Sequence, residues 1–405
     1  MTGEAPLEGP LAELADKRHI VVCCGSGGVG KTTTAAVFAL AGACRGRNAV
    51  VVTIDPAKRL ANALGLDALS DNAREIGREL WDPEGRAPAE GRLSALMLDT
   101  KSTFDHLVLK YAGDAAQGAR ILENRFYRNI SSVLSGTQEY MAMEKLHELH
   151  EEGGYDLIVV DTPPTRNALD FLDAPTRLTR LLDNRLFRFV MAPTRASFRV
   201  ANIALQTFFR SVSKVIGIEV VEDLVLFFQA FEGMEEGFRE RAQRVLQLLG
   251  DPGTAFVLVT SPGRDSVAEA GYFARRLREA GLSVDGLVIN RIHPEFGTEL
   301  PEGLRARSAT LAKVAHGAGA SNGEAAGRLQ ALYANLADFL ELAKRERRHL
   351  AGLEQQVGPV PVARVPLLPM DVCDIASLTE VGRYLLAPDS DGPAAPLGSA
   401  AAGGG

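Results

Sequence analysis

Short apolar runs rich in valine, isoleucine and leucine recur along the chain, and polar residues rarely alternate within them. Strands that helices cover on both faces need apolar side chains on both faces, so continuous runs are typical of a parallel sheet. Helical patterns separate several runs, for example at residues 32–45 and 267–281. This alternation predicts an α/β fold with a doubly wound, mostly parallel sheet. The predicted strands are 19–24, 49–54, 93–99, 155–161, 255–260, 284–290 and 362–366.

Two stretches, residues 101–154 and 167–250, interrupt this alternation. They contain no clear strand, and apolar residues recur in them at helical spacing, as on amphipathic helices. We interpret them as helical insertions that form one subdomain within a single α/β domain spanning residues 18–387. Residues 1–17 are expected to be flexible, and the small, Pro- and Gly-rich segment 388–405 is expected to be disordered.

Three further segments have distinct patterns. Residues 315–327 are rich in glycine and alanine, and we expect a mobile loop there. A helical pattern over roughly residues 328–356 follows and precedes the last predicted strand. The phenylalanine-rich residues 224–234 fit either the core of a helical bundle or a groove for a hydrophobic client, and the core is favoured.

The charge balance narrows the possible partners. With 44 basic and 51 acidic residues, the chain has a net charge of −7, which provides no electrostatic attraction for nucleic acid. The sequence does not open on a signal-peptide pattern, so we expect a cytoplasmic protein. The four cysteines form no C-x-x-C pair and are interpreted as reduced core thiols: Cys23, Cys24, Cys44 and Cys373.

The stretch CCGSGGVGKTTT near the N-terminus fits two glycine patterns. Gly25, Gly27 and Gly30 match the G-x-G-x-x-G fingerprint, which would indicate a nicotinamide-dependent oxidoreductase. The outer two glycines, together with Lys31 and Thr32, match the phosphate-binding loop G-x-x-x-x-G-K-T. Only the P-loop pattern gives a role to Lys31 and Thr32. Lys31 would meet the β- and γ-phosphates of ATP, and the Thr32 hydroxyl would bind Mg²⁺.

Two aspartates that follow apolar runs favour the P-loop interpretation. Asp161 ends the run LIVVD and would face the P-loop magnesium, through water, as in the Walker B arrangement. The alternative is a carboxylate that caps a turn before Pro163. Asp55 would orient the attacking water at the γ-phosphate. It would also suit a helix N-cap with Pro56 in the first helical position, and the two roles are compatible. The sequence therefore predicts an ATPase with ATP and Mg²⁺ as its ligands.

The ordered motifs GSGGVGKTTT, TIDPAKRLANALG, DTPPTRNALDFL, VIN and VPLLP resemble those of the arsenite-pump ATPase (ArsA) family. That family includes the eukaryotic ATPase that delivers tail-anchored membrane proteins. The resemblance runs from about residue 18 to residue 386. It implies a nucleotide-sandwich dimer with a helical subdomain above the ATP sites. ATP-driven closure would then be coupled to an anion-export partner or a hydrophobic client.

The resemblance also implies roles for individual residues. Asp55 would activate the attacking water. Asp161 would sense the γ-phosphate and the Mg²⁺ ion that Thr32 binds. Asn290 would hydrogen-bond adenine, with an ordinary strand-end cap as the alternative. The residues that would flank the base, or simply end a strand, are Pro366 and Leu367. The residues that would bind phosphate are Gly25, Ser26, Gly27, Gly28, Val29, Gly30, Lys31, Thr32 and Thr33.

The chain departs from the family pattern at several positions. Ser26 occupies the place of the signature lysine, which in the family reaches the phosphates of the dimer partner. The charge is then missing or comes from elsewhere: Arg166 or Lys58 could reach the phosphates within the fold, or a lysine-bearing paralogue could supply the charge in trans. We favour this heterodimer modestly over a homodimer. Arg166 and Asn167 also stand where the family often has Gly-His, and no zinc-binding C-x-x-C follows Asn290.

Two other functions remain as alternatives. The first is a positioning ATPase of the ParA or MinD type, against which the acidic charge and the helical insertions both count. The second, weaker and from another class, is the nicotinamide-dependent oxidoreductase. Titration with ATP and with NAD separates an ATPase from an oxidoreductase.

Overall fold

The computed structural model of the chain describes residues 9, 11–54, 59–130, 137–163, 223, 226–227, 230, 233–294, 296–297, 299–317 and 320–386. An eight-stranded sheet forms its centre. The strands are β1 Ile20–Cys24, β2 Asn48–Thr53, β3 Arg74–Glu75, β4 Arg92–Met97, β5 Leu157–Asp161, β6 Thr254–Thr260, β7 Gly286–Ile292 and β8 Val362–Pro366.

The strand order across the sheet is β3-β4-β2-β5-β1-β6-β7-β8. Every neighbouring pair is parallel except β3 and β4. The predicted α/β fold with a mostly parallel sheet is confirmed, and each apolar run predicted as a strand overlaps one. The apolar pattern missed β3, because Arg74 and Glu75 are both exposed and polar.

The central strands are buried on both faces, as their continuous apolar runs require. Every residue of β1 is buried, and successive side chains of a strand point to opposite faces of the sheet. Ile20 and Val22 belong to one apolar core, whereas Val21 and Cys23 belong to the other. The sheet is therefore doubly wound, with a separate core on each face.

Helices connect the strands and cover the sheet. The side chains of Asp99, Asp114 and Asp374 cap three of them by accepting hydrogen bonds from first-turn N–H groups. The helices predicted at 32–45 and 267–281 are present with small shifts at their ends. The helices are α1 Ala12–Lys17, α2 Lys31–Cys44, α3 Arg59–Ala63, α4 Arg78–Trp81, α5 Thr100–Tyr111, α6 Ala115–Glu123, α7 Arg125–Ile130, α8 Thr137–Glu152, α9 Glu235–Leu249, α10 Arg264–Glu279, α11 Pro301–Gly317, α12 Ala320–Val357 and α13 Ile375–Leu385.

Residues 11–17 pack onto the domain, so the expectation of a flexible segment over residues 1–17 is wrong for this part. Leu11, Leu14 and Ala15 are buried in the same core as α2. Their spacing of three and four residues matches one apolar face of a helix.

Helices α11 and α12 pack against each other, and the mobile loop expected at 315–327 is wrong over its described residues. Helix α11 continues to Gly317, and α12 begins at Ala320. Alanine favours helix, and the contact between Leu304, Ala337 and Leu340 offsets the cost of the glycines. No helix of the described residues, α12 included, is both long and apolar enough to cross a membrane.

The first predicted insertion is helical, since α5 to α8 follow one another between β4 and β5. Of the second predicted insertion, the structure describes α9 and a few residues before it, and residues 164–222 lie outside the described part. Within the phenylalanine-rich stretch, Phe227 is buried and stacks on Tyr127 with ring centroids 6.1 Å apart. Phe227 therefore belongs to the core, whereas its neighbour Leu226 is exposed.

Candidate nucleotide-binding site

The predicted site residues gather at the carboxyl ends of the parallel strands. Residues 25–30 form a loop between β1 and α2. Asp161 ends β5, which lies beside β1. Asn290 lies near the end of β7, and Pro366 ends β8. Ligands of doubly wound sheets bind at this edge, so the location alone makes the loop a candidate site.

Glycines let the loop pack directly against two strands. Gly30 has a φ angle of 103°, in the left-handed region, and a Cβ atom there would collide with Asn290 Nδ2. A Cβ atom at Gly25 would collide with the backbone oxygen of Val259, in β6. Both positions therefore require glycine. The resulting compact backbone turn before a helix is the geometry that surrounds phosphate groups in P-loops.

The N-terminus of α2 is suited to an anion. The helix begins at Lys31 with Gly30 as its N-cap, no side chain caps it, and its first turn contains no acidic residue. The helix dipole and the first-turn N–H groups therefore attract negative charge. Lys31 is buried, and its Nζ donates a hydrogen bond to Ser26 O at 2.8 Å. The ammonium group thus lies inside the loop.

Thr32 and Asp161 meet next to the loop. Thr32 Oγ1 donates a hydrogen bond to Asp161 Oδ2 at 2.7 Å, and Thr53 Oγ1 donates to the same oxygen at 2.9 Å. The sheet register explains this arrangement, because Asp161 pairs with Cys23 of β1 and with Thr53 of β2. Hydroxyl and carboxylate oxygens are hard ligands of the kind that Mg²⁺ prefers. The donor set therefore fits the predicted metal ion.

A cleft of about 550 Å³ joins the loop to the ends of β7 and β8. Lys31 and Thr32 line it, and so do the predicted base-binding residues Asn290, Pro366 and Leu367. Nearly half of the surface of Leu367 is exposed, so it offers an apolar wall on which a base could lie. The cleft is also lined by Arg59, Asn62, Asp161, Arg291, Met370, Asp371 and Cys373.

Asn290 connects β7 to the phosphate-binding loop. Its Nδ2 donates a hydrogen bond to Val29 O at 2.9 Å, and its Oδ1 accepts one from Arg291 N at 2.9 Å. The carboxamide therefore caps the strand end, as the alternative interpretation had it. A carboxamide has a second N–H and a second lone pair. A contact with adenine is thus compatible with this geometry and stays a prediction.

A family comparison decides the class of this protein. The profile of the anion-transporting ATPases, ArsA, matches residues 18–316. The chain belongs to the ArsA family. The resemblance inferred from the motifs is confirmed, and of the two glycine patterns the P-loop is the one that applies. The protein is an ATPase of the ArsA class.

Three relatives that are distant in sequence each cover about two thirds or more of the chain. ATPase GET3 of Malassezia globosa is 25% identical over 311 residues, which are 76% of this chain and 83% of that protein. An arsenical pump-driving ATPase of Aquifex aeolicus is 20% identical over 377 residues, 91% of this chain and 78% of that protein. An uncharacterised protein of Streptomyces coelicolor is 28% identical over 272 residues, 67% of this chain and 62% of that protein.

Several residues of this ArsA-family site lie outside the described part of the chain. They include Asp55, which would orient the water, and Lys58 and Arg166, which would replace the missing charge. Their roles stay predictions. Ser26 is described: its Oγ is buried and has no hydrogen-bond partner among the described residues.

Other residues of the ArsA-family cleft escaped the sequence analysis. Thr53 is the last residue of β2, and Arg291 directly follows Asn290, so both lie at the carboxyl edge of the sheet. Their positions at strand ends could therefore have identified Thr53 and Arg291 as candidate site residues. Arg59 and Asn62 belong to α3, and their place in the cleft depends on how α3 packs.

The interpretation of all four cysteines as core thiols is wrong for two of them. Cys23 and Cys24 are buried in β1, but Cys44 and Cys373 are exposed. Cys44 is the last residue of α2, where the helix leaves the core. Cys373 lies between β8 and α13, in the segment that borders the cleft.

Proposed function

We propose that this ArsA-family protein is a Mg²⁺-dependent ATP hydrolase in which ATP binding closes a dimer. The observation that carries the proposal is the hydrogen bond between Thr32 and Asp161 at the N-terminus of α2. This bond supports the proposal because it brings together two oxygen atoms that are suited to a divalent cation, beside a loop that also holds a buried lysine.

Each part of the loop has a separate task in this proposal. The N–H groups at the start of α2 bind the phosphates, and Lys31 neutralises charge on the β- and γ-phosphates. The Ser26 hydroxyl, buried without a hydrogen-bond partner among the described residues, would donate a hydrogen bond to a phosphate oxygen. Mg²⁺, when bound, supplies further neutralisation of the phosphate charge. Thr32 would hold the ion directly, and Asp161 would do so through water.

The attacking water and the base use residues at other strand ends. Asp55 follows β2 closely in the chain, and its motif supports a role in orienting the water at the γ-phosphate. At the ends of β7 and β8, the second N–H of the Asn290 carboxamide would hydrogen-bond adenine. Pro366 and Leu367 would lie against the faces of the base.

The proposed dimer is a nucleotide sandwich. Gly27 and Gly28 are exposed, which agrees with a loop that faces a second subunit. The partner is a second copy of the chain or, modestly favoured because of Ser26, a paralogue that has the lysine. The helical insertions at 101–154 and 167–250 of the domain spanning 18–387 would transmit the closure. They would act on an anion-export partner or a hydrophobic client in the cytoplasm.

Ligand titration with a matched pair of variants tests the ATPase assignment at this site. The wild type should bind ATP and not NAD. Lys31→Ala should lower the affinity for ATP at least tenfold, because charged hydrogen bonds contribute about 1.5–3 kcal/mol each. The control is Lys344→Ala, which removes an exposed lysine on α12 and should bind ATP like the wild type. Normal ATP binding and hydrolysis by Lys31→Ala would refute the proposed site.

A second experiment addresses the partner. A form that binds ATP without hydrolysing it, such as Asp55→Asn, would hold the dimer closed for affinity capture. We expect a partner to co-purify with this form in the presence of ATP and to be lost with ADP. Equal recovery in both nucleotide states would contradict closure-dependent coupling.

A further inference from the structure

Arg291 has an unusual backbone conformation at the edge of the nucleotide cleft. Its φ angle is 63°, in the left-handed region, and among the described residues no other residue except glycine has a positive φ. A side chain with a Cβ atom is sterically disfavoured there. Such strain persists where the surrounding structure imposes it, and it is concentrated at binding and catalytic sites.

A β-bulge produces this conformation. The pairing of β7 with β8 is regular up to Ile289 and shifts before Ile292, which pairs with Pro366. Bulges redirect a side chain that would otherwise follow the regular alternation of the strand. Here Asn290 and Arg291 lie between the two registers, and Arg291 lines the cleft.

The segment around Arg291 is held from both sides. On one side, Asn290 bonds to Val29 O and accepts a hydrogen bond from Arg291 N. On the other side, the Glu346 carboxylate of α12 makes two hydrogen bonds with His293, one with Nδ1 at 2.7 Å and one with the backbone N at 3.2 Å. Glu346 is itself almost fully buried. The arginine is therefore presented from a fixed piece of backbone.

The guanidinium group lies at the phosphate-binding loop. One Nη of Arg291 donates a hydrogen bond to Gly28 O at 3.0 Å, and the residue lines the cleft together with Lys31 and Thr32. A guanidinium has five N–H donors. Among the described residues, the Arg291 guanidinium donates a hydrogen bond to Gly28 O. Within the same part of the chain, no carboxylate forms an ion pair with Arg291.

We propose that Arg291 binds the phosphates of the nucleotide and supplies, from within the same subunit, positive charge that Ser26 does not provide. This inference rests on the ATP-binding site proposed above. A guanidinium can contact two phosphate oxygens at once, which a lysine ammonium does not match in geometry. The competing role is purely structural: Arg291 would only hold the Gly28 carbonyl and would not touch the ligand.

Ligands with an increasing number of phosphate groups distinguish phosphate binding by Arg291 from the purely structural role. Affinities for adenosine, AMP, ADP and ATP are measured for the wild type, Arg291→Gln, Arg291→Lys and the control Arg364→Gln. Arg364 is an exposed residue of β8 that pairs with Glu354 and does not line the cleft. For Arg291→Gln we expect a loss of about tenfold for ADP and ATP and no change for adenosine, because a charged hydrogen bond is lost. Arg291→Lys should recover part of the affinity, and Arg364→Gln should match the wild type.

A fourth variant keeps the test valid if Arg291→Gln folds poorly. Arg291→Gly also removes the charge, but glycine accepts a positive φ without strain, so the fold should be retained. It should show the same selective loss for the phosphorylated ligands. An equal loss for all four ligands, or no loss for any, would overturn the proposal in favour of the structural role.

Adding Lys31→Ala to the same ligand series distinguishes failure of this inference from failure of the proposed site. If the wild type binds ATP and Lys31→Ala does not, the site stands. Unchanged ADP and ATP affinities in the Arg291 variants would then refute only the role of Arg291. If Lys31→Ala binds ATP like the wild type, the site itself is wrong, and the role of Arg291 falls with it.

Discussion

Thr32 and Asp161 are 129 residues apart in the sequence, yet Thr32 Oγ1 donates a hydrogen bond to Asp161 Oδ2 at 2.7 Å. Thr32 belongs to the first turn of α2, and Asp161 is the last residue of β5. The bond exists because β1 and β5 are neighbours in the sheet and end at the same edge. The sheet thus brings together the two oxygen atoms that we propose as ligands of a divalent cation.

The first prediction concerns this pair. Thr32→Ala removes the hydroxyl that would bind Mg²⁺, so ATP hydrolysis should fall by at least tenfold. Affinity for ATP in the presence of EDTA should change much less, since the metal contact is then absent in both proteins. Thr310→Ala is the control, because Thr310 is exposed on α11 and its hydroxyl donates a hydrogen bond to Ala306 O of the same helix.

Comparing ATP affinity with Mg²⁺ and with EDTA shows whether the first prediction fails. If Thr32→Ala lowers ATP affinity equally with Mg²⁺ and with EDTA, the hydroxyl contributes to the fold of the loop and not to metal binding. Asp161→Asn should resemble Thr32→Ala in its metal dependence, because both residues would belong to one metal site.

The parallel strands and the phosphate-binding loop could be predicted from the sequence because their signals are local. A continuous apolar run needs only burial on both faces, and the P-loop needs glycines and a lysine at fixed spacing. Arg291 could not be predicted in the same way. Its place in the cleft depends on a register shift between β7 and β8, which pairs segments far apart in the sequence. The start of α12 at Ala320 also depends on distant contacts, because packing against α11 outweighs the helix-weakening glycines near that end.

The second prediction separates binding from chemistry at Asp55. Asp55→Asn keeps the size of the side chain and its capacity to cap a helix, so the fold should survive. It removes the negative charge that would orient the attacking water. We expect near-normal affinity for ATP and a strong reduction in hydrolysis, measured by equilibrium binding and by phosphate release. Unchanged turnover would leave Asp55 with the capping role alone.

The third prediction uses the cysteines as probes of the cleft. Burial raises the pKa of the Cys24 thiol to about 12, and burial together with Asp161 raises the pKa of Cys23 well above its usual range. The reactive species is the thiolate, and a raised pKa lowers its fraction at a given pH. Both thiols should therefore resist alkylation near neutral pH until the protein unfolds. The exposed thiols of Cys373 and Cys44 should react in the folded protein.

Nucleotide protection then tests the position of the ligand. Cys373 lines the cleft, so bound MgATP should slow its alkylation, as measured by mass spectrometry of the labelled peptides. Cys44, at the end of α2, is the internal control and should react at the same rate with and without nucleotide. Protein atoms around the Cys44 thiol shield it from water, and together with the nearby Asp82 they raise its pKa. The thiolate fraction, and with it the rate of alkylation, should therefore increase as the pH rises. Equal protection of both cysteines would indicate a general change in the fold and not a ligand in this cleft.

The last prediction follows from Ser26. A nucleotide sandwich of two identical chains would have no signature lysine on either side, and each γ-phosphate would lack a cation from the partner. Arg291 would add charge within its own subunit, but it would not supply a group across the interface at the transition state. A trans cation of the arginine-finger kind can contribute a factor of about 10³–10⁵ in rate. The purified chain should therefore hydrolyse ATP slowly. Ser26→Lys should accelerate turnover by at least tenfold, whereas Ser26→Met, which is unbranched and uncharged, should not.

Mixing experiments test whether a partner chain or the chain itself supplies the missing charge. A lysine-bearing paralogue that accelerates hydrolysis by the wild-type chain, with little further effect on Ser26→Lys, would support the heterodimer. The acceleration should also depend on protein concentration, because a charge supplied by a partner requires association. If the purified chain is already fast, and Ser26→Lys, Arg166→Ala and Lys58→Ala all leave it unchanged, the missing lysine has no mechanistic consequence. The heterodimer would then lose its physical basis, since no charge would be missing from the site.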